Sequence, residues 1–315
     1  MPGKLKILMI LTHDRQDCLR LCLDMLERDG AFSRFDRVVL LLNGVPSGHR
    51  RFVDRYMAAR PAVKWDTVEG DGTRPGGICF VQNECIRRYP NSVYVKVDED
   101  VFVPRGWAGR MLETYGQFEG RKDLALITPL IPNNAYGLHR LLNVFYPEKL
   151  DEFGRIFGAA PSDAAKGPTW HSPYIAEWAT RQFLDMDAAN EEQRRRLAAG
   201  GHPRWHEFCQ YFSIGCICYD YEHVQRMGGA LPPRDEPDWC AWFEANRHAC
   251  VVDQSLIVLH YSFFVQQEWL DRTALLEDVR RANLPGTSGA LAATGMRWFR
   301  LAKQIPGILK RRLAR

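Results

Sequence analysis

The chain has 315 residues, of which 46% are hydrophobic, 25% charged and 11% aromatic, so collagen-like, low-complexity and wholly disordered chains are excluded and a sizeable buried core is expected. Its 42 Lys and Arg against 38 Asp and Glu give +4, but seven of the bases and no acid fall between Arg297 and Arg315, leaving 35 against 38 elsewhere. A mildly acidic body lacks the basic face that nucleic-acid binding needs. No run approaches the roughly 18 apolar residues of a membrane span, and the short apolar opening Ile7–Leu11 is followed by no small-residue cleavage site, so a cytoplasmic chain is expected. Nine cysteines scatter from Cys18 to Cys250 without zinc-ligand spacing, which predicts reduced, buried thiols.

Lys4–Leu11 reads as a buried strand, ended by Thr12-His13-Asp14-Arg15, and the period of Leu19, Cys22, Leu23 and Leu26 predicts a following amphipathic helix. Val38–Leu42 is a second buried strand, closed by Asn43-Gly44. A helix is expected over Arg50–Ala59 and stops at Pro61; a third strand follows over Val63–Val68. The loop Gly70–Gly77 is rich in Gly and Pro. It leads to a helix over Ile78–Tyr89 and a fourth strand, Val93–Val97, which runs into Asp98-Glu99-Asp100. Strands alternating with helices at this spacing predict βα units and a mostly parallel sheet, whose ligands bind at the carboxyl ends of the strands. Ala125–Leu130 is another short strand. The stretch from Pro132 to about Gln210 reads as irregular and aromatic-rich, with a solvated charged helix at Glu191–Leu197. Strand character returns at Phe212–Tyr219 and Leu256–Tyr261.

Side chains alternate along an extended chain, so Asp98 and Asp100 project to one side and Glu99 to the other. Two carboxylates at a strand's carboxyl end suit a hard divalent cation that bridges to phosphate. Lys96 lies on the Asp98 side, placed either to counter the triplet's charge or to meet a ligand. Arg234-Asp235-Glu236-Pro237-Asp238 reads as a polar surface loop. Trp239 and Trp242 are spaced for a helix and are expected either in the core or stacked on a ligand.

The order Leu11-Thr12-His13-Asp14-Arg15, Val39–Gly44, Gly76-Gly77-Ile78, Asn83-Glu84-Cys85, Tyr94–Trp107, Phe212–Gly215 with Met227-Gly228-Gly229, and Leu256–His260 resembles GT-A glycosyltransferases, most nearly family 2. The likeness covers most of residues 4–135 and 210–265; residues 136–209 match nothing recognisable. It implies a Rossmann-like GT-A fold in three parts. Residues 1–135 would be the nucleotide-sugar half, 136–265 the acceptor-side half with the aromatic-rich insertion, and 266–315 C-terminal helices. It implies an enzyme that moves a sugar, as hexosyltransferases do, from a nucleotide donor, UDP-sugar first, to a glycan or lipid-linked acceptor, as in surface-polysaccharide assembly. By the same resemblance Asp98, Asp100 and His260 would bind Mn²⁺ or Mg²⁺, with Asp98 also able to reach the ribose. Thr12, Arg15, Asn43, Asn83, Lys96 and Asp98 would line the donor site. Glu236, or else Asp235, would be the base of an inverting displacement. Asn43 departs from the family, in which that strand commonly ends in Asp.

Two other functions are open at this point: a sugar nucleotidyltransferase, disfavoured by Thr12–Asp17 where a Gly-rich phosphate loop belongs, and a non-catalytic GT-A module that holds a nucleotide or glycan. Trp298, Leu301, Ala302, Ile305, Leu309 and Leu313 recur at helix spacing among the basic residues of 296–315, which resembles an amphipathic helix lying on the inner face of a membrane. The sequence leaves the oligomeric state open.

Overall fold

The computed structural model describes residues 3–72, 76–164, 167–208, 214–234 and 236–286. The chain divides into two compact units, Met1–Asn283 and Leu284–Arg315, and only residues 284–286 of the second are among those described. The basic segment 296–315 therefore lies outside the described residues, as do Asp235 and Phe212-Ser213.

Among the described residues of the first unit, ten strands form: β1 (Leu5–Thr12), β2 (Arg37–Asn43), β3 (Trp65–Gly70), β4 (Ser92–Asp98), β5 (Val101–Phe102), β6 (Leu124–Leu130), β7 (Trp205–Phe208), β8 (Cys216–Asp220), β9 (Ala249–Ile257) and β10 (Leu259–His260). Eight of them make one sheet in the order β3-β2-β1-β4-β8-β6-β9-β7, and β5 pairs with β10 beside it. β1 is parallel to β2 and β4, β2 to β3, and β6 to β9, whereas β8 runs antiparallel between β4 and β6 and β7 closes the far edge antiparallel to β9. The parallel strands β1, β2 and β4 are buried almost throughout, which is what continuous Val/Ile/Leu runs become in a sheet covered on both faces. The crossovers are α1 (Gln16–Asp29), α2 (Ser47–Ala58) and α3 (Gly77–Arg88); α4 (Trp107–Phe118) follows β5. α1 buries Cys18, Leu19, Cys22, Leu23 and Leu26, the stripe its periodicity predicts, and ends at Gly30 in the left-handed conformation.

β8 lies between β4 and β6 and β9 pairs with β6, so residues 1–135 and 136–265 contribute strands to one sheet. The helix Leu275–Asn283 also belongs to this unit: Arg28 Nη1 donates to the Asn283 carbonyl at 2.5 Å, and Asn283 Oδ1 accepts from Met186 N at 3.1 Å. The segment expected to be irregular is mainly helical. Asn134, Ser172 and Asp185 cap helices at Ala135–Arg140, Pro173–Gln182 and Met186–Ala199 by accepting from the backbone three residues on. The charged run Glu191–Leu197 sits in the last of these, and that helix is not simply solvated. Its inner face carries buried Asn190 and Gln193, whose amides bond to the backbone of Ile257 and Gln254 where β9 shifts register against β6. Polar residues that cover a β-bulge leave no apolar periodicity to read. No helix among the described residues is long and apolar enough to cross a membrane. Eight cysteines are buried and free of disulfides; Cys209 lies outside the described residues.

Trp239 is fully buried, which removes it as a sugar platform, and Trp242 packs edge-on against His223 and His248. Trp239 Nε1 donates to His223 Nε2 at 2.9 Å, and burial holds the His223 imidazole down to about 3. An unfolded histidine takes up a proton near pH 6.5, and the folded one does not until about 3. Stability contributed by the neutral ring is therefore complete above about pH 6.5 and is lost as pH falls towards 3, at up to about 1.4 kcal/mol per pH unit. Denaturant unfolding across this window should show a shallower pH slope for His223→Gln than for the wild type; parallel slopes would contradict the neutral, indole-bonded ring.

Candidate active site

The strand order reverses between β1 and β4, so the crevice at their carboxyl ends is the switch point of the sheet. Leu11 pairs with Asp98 there, and the Glu99 amide donates to the Leu11 carbonyl at 2.8 Å, which fixes where the acidic triplet leaves the sheet. Each carboxylate then takes a different partner. Asp98 Oδ1 meets Lys96 Nζ at 2.6 Å, and the same ammonium donates to the Ile214 carbonyl at 3.0 Å. Glu99 turns the other way and accepts from Thr12 Oγ1 at 2.6 Å and from the amides of His13 and Arg15, while Thr12 Oγ1 also meets His49 Nε2 at 2.7 Å. Asp100 Oδ2 accepts from Arg15 Nη1 at 2.7 Å and from Ser262 Oγ at 3.4 Å, and Asp100 Oδ1 lies 3.2 Å from His260 Nε2.

The charges follow from these contacts. Burial raises the Asp98 carboxyl against the pull of Lys96 and His260. Burial also pushes Glu99 up to about 7, against the Thr12 hydrogen bond and the Arg15 charge. Burial acts on Asp100 as well, but the His260 charge and hydrogen bond, with Arg15 and Ser262, overcome it and hold that carboxyl at about 2. His260 is the counterpart: burial lowers it, and Asp100 and Asp98 lift it above its ordinary value.

With Nε2 committed to Asp100, His260 presents Nδ1, which is buried without a hydrogen-bond partner among the described residues. A Cβ on Gly215 would stand 3.4 Å from this Nδ1 and 3.3 Å from Asp98 Oδ2. The missing side chain thus keeps open a gap shared by one imidazole nitrogen and one carboxylate oxygen. These are donors a Mn²⁺ or Mg²⁺ accepts, and an orphaned buried nitrogen is otherwise a cost, so the residues fit such an ion. Among the described residues, however, no three His, Cys, Asp or Glu side chains stand ready as a metal group. The expected trio is divided: Asp98 and His260 face the gap, and both Asp100 oxygens are taken up by Arg15, Ser262 and His260.

The other expected donor-site residues separate into two groups. Asn43 ends β2, buried, with Oδ1 unpartnered among the described residues. A Cβ on Gly77 would fall 2.7 Å from that oxygen, so a larger residue there would push the Asn43 side chain out of place. Beside it opens a cleft of about 570 Å³ lined by Glu69, Gly70, Asp71, Gly76 and Phe80. Arg15 and Asn83, by contrast, are engaged within the protein. Arg15 is buried, spans Asp100, Ser262 and Asp271 and lies over the Tyr261 ring at 5.1 Å, which leaves its charge fully used within the protein. Asn83 uses both amide groups on Leu231, donating to its carbonyl at 3.1 Å and accepting from its amide at 2.8 Å. Thr12 and Lys96 likewise support the triplet from behind.

Glu236 opens the helix Glu236–Ala245, and its Oε2 accepts from Ile214 N at 3.4 Å. Ile214 also receives Lys96, and the next carbonyl, that of Gly215, receives the Asp98 amide at 2.9 Å. Glu236 is thereby held one peptide from the triplet. Ser262, Asp271 and Tyr261 were not anticipated: Arg15 reaches Asp271 across 256 positions, and no local pattern marks such a pair.

No family model matches the chain, and no curated protein matches it. Among solved structures, the mannosyltransferase PcManGT from Pyrobaculum calidifontis, in complex with GDP-Man and Mn²⁺, is 11% identical with a TM-score of 0.50, covering 96% of this chain and 81% of its own. GalNAc-T7 with UDP, GalNAc and Mn²⁺ is 10% identical with a TM-score of 0.47, covering 89% of this chain and 48% of its own. S. aureus TarS is 13% identical with a TM-score of 0.31 over 40% of this chain and 21% of its own. The fold is GT-A. Asn83→Ala should cost about 2 kcal/mol of unfolding free energy, because it strands the Leu231 amide and carbonyl. Nucleotide affinity per folded molecule should be unchanged; lost affinity at wild-type stability would return Asn83 to the donor site.

Proposed function

We propose that the chain is a metal-dependent, inverting glycosyltransferase that moves a hexosyl group from a nucleoside diphosphate donor, UDP-sugar first, to a hydroxyl of a glycan or lipid-linked acceptor. One arrangement carries this reading. Along a single sheet edge lie the cleft at the end of β3, the open Asn43 oxygen at the end of β2, and the Asp98–His260 gap at the end of β4. From β3 to β4 is three strand spacings, about 14 Å, a span that a base, ribose and diphosphate fill when laid end to end.

Asp98 and His260 would hold Mn²⁺ or Mg²⁺, and Asp100, fixed by Arg15 and Ser262, would orient the imidazole from behind, as outer carboxylates do for metal-binding histidines. When bound, the ion supplies positive charge that stabilises the departing diphosphate. The Asn43 amide oxygen would accept an imide N–H of the base, which uracil has and cytosine lacks. Glu236 would take the acceptor proton as the acceptor oxygen bonds to the anomeric carbon. The bond from that carbon to the diphosphate oxygen breaks with its electron pair leaving on the diphosphate, and one displacement of this kind inverts the anomeric centre. Asp235 is the alternative base.

Thermal unfolding with UDP, GDP, CDP and dTDP, each with and without Mn²⁺, tests the donor half. One nucleotide should raise the melting temperature only with Mn²⁺, since ligand at 100 times its Kd adds about 2.7 kcal/mol, and Asp98→Asn should abolish the shift. No shift with any nucleotide would refute the donor site. Glu236→Gln should keep the shift and lose at least about 10²-fold in kcat for sugar transfer or donor hydrolysis. Undiminished turnover would remove Glu236 as the base.

A further inference from the structure

Beyond the triplet, the segment Phe263–Asp271 is anchored at both ends to residues that touch Asp100. At its start, Tyr261 N donates to the Asp100 carbonyl at 2.8 Å, and the Phe263 ring stands edge-on to His260 at 4.8 Å. At its end, the Tyr261 hydroxyl donates to the Leu270 carbonyl at 2.8 Å, and Asp271 accepts from Arg15 at 2.9 Å. Midway, buried Gln266 accepts from Phe263 N and donates to the carbonyls of Thr169 and Trp170, tying the segment to the helix Pro168–His171.

This well-held arc nevertheless turns large apolar groups outward. Phe264 is 78% exposed, Val265 40% and Trp269 37%, and Tyr174, on the adjoining helix Pro173–Gln182, is 55% exposed. The Trp269 and Tyr174 rings lie 4.7 Å apart, and Trp269 Nε1 donates to Glu177 at 3.1 Å, which fixes the indole. Exposed apolar clusters of this kind mark interaction sites. The charge around it selects the partner: each carboxylate at the rim is paired with an arginine, Glu268 with Arg272, Asp271 with Arg15, Glu177 with Arg181, and Asp278 with Arg181 and Arg281. A rim with no surplus cation gives an anionic leaflet nothing to attract it. A neutral carbohydrate suits it, since the C–H faces of a sugar ring lie on Trp and Tyr while its hydroxyls hydrogen-bond to the charged groups at the rim.

We infer that Phe264, Trp269 and Tyr174 form the platform that receives the acceptor glycan, so that the acceptor is recognised through a sugar ring next to the His260 gap. This rests on the glycosyltransferase reading and names the acceptor side of the same site. The test is a glycan array probed with the labelled full chain and with Trp269→Ala, Tyr174→Ala and Phe264→Ser, alongside the Mn²⁺–nucleotide thermal shift of each variant. Wild-type chain should bind a subset of neutral glycans, and the variants should bind them about tenfold more weakly while keeping the nucleotide shift. Phe264→Ser, the most exposed of the three, separates a lost platform from a lost fold. Three results would overturn the inference with the nucleotide shift intact: no glycan bound by the wild type, glycan binding untouched by all three variants, or wild-type binding to phosphatidylglycerol vesicles that Phe264→Ser abolishes. A missing nucleotide shift in the wild type would instead refute the donor reading on which the platform rests.

Discussion

Three consecutive carboxylates at the end of a buried strand are an electrostatic burden that the surrounding site is arranged to meet. An uncompensated buried charge costs several kcal/mol, and like charges in succession cost more. Each member of the triplet is answered separately: Asp98 by Lys96 from its own strand, Glu99 by Thr12 and the backbone amides that follow β1, Asp100 by Arg15, Ser262 and His260. The answers come from β1, β4 and β10, so satisfying the charges also fastens these elements at the switch point. Removing Arg15 would leave a buried carboxylate with only Ser262 and His260 to answer it.

The same compensation decides which groups are left for a ligand. His260 gives Nε2 to Asp100 and keeps Nδ1. Asp98 gives Oδ1 to Lys96, and its Oδ2 faces Gly215. Asn43 Oδ1 has no hydrogen-bond partner among the described residues, and Gly77 puts no Cβ against it. Open polar atoms therefore stand in a row along the edge of a rigid sheet, with their protein contacts already made. On the proposed reading, a site held in this way would bind a nucleotide and a cation with little reorganisation.

Much of this was legible in the sequence. Continuous apolar runs marked β1, β2, β4 and β6, the polar residues at their ends marked the working edge, and alternation placed Asp98 and Asp100 together with Glu99 opposed. What was not legible has a common cause in contacts between distant positions. The partners of Arg15 lie 85, 247 and 256 positions away, and Asn83 finds Leu231 at 148. The segment 136–209 hid its helices because they are short and aromatic, or, like Met186–Ala199, turn polar residues inward to satisfy a bulged strand. β7 is four residues on an edge and carries too little pattern to be seen.

The central claim is that His260, oriented by Asp100, offers its free nitrogen together with Asp98 to a divalent cation beside a nucleoside diphosphate. Electron spin-echo spectroscopy of Mn²⁺ bound to the full chain with the stabilising nucleotide reads that contact directly. The account predicts modulation from a directly coordinated imidazole nitrogen, lost in His260→Ala. Bound Mn²⁺ and nucleotide with no nitrogen modulation in the wild type would contradict it.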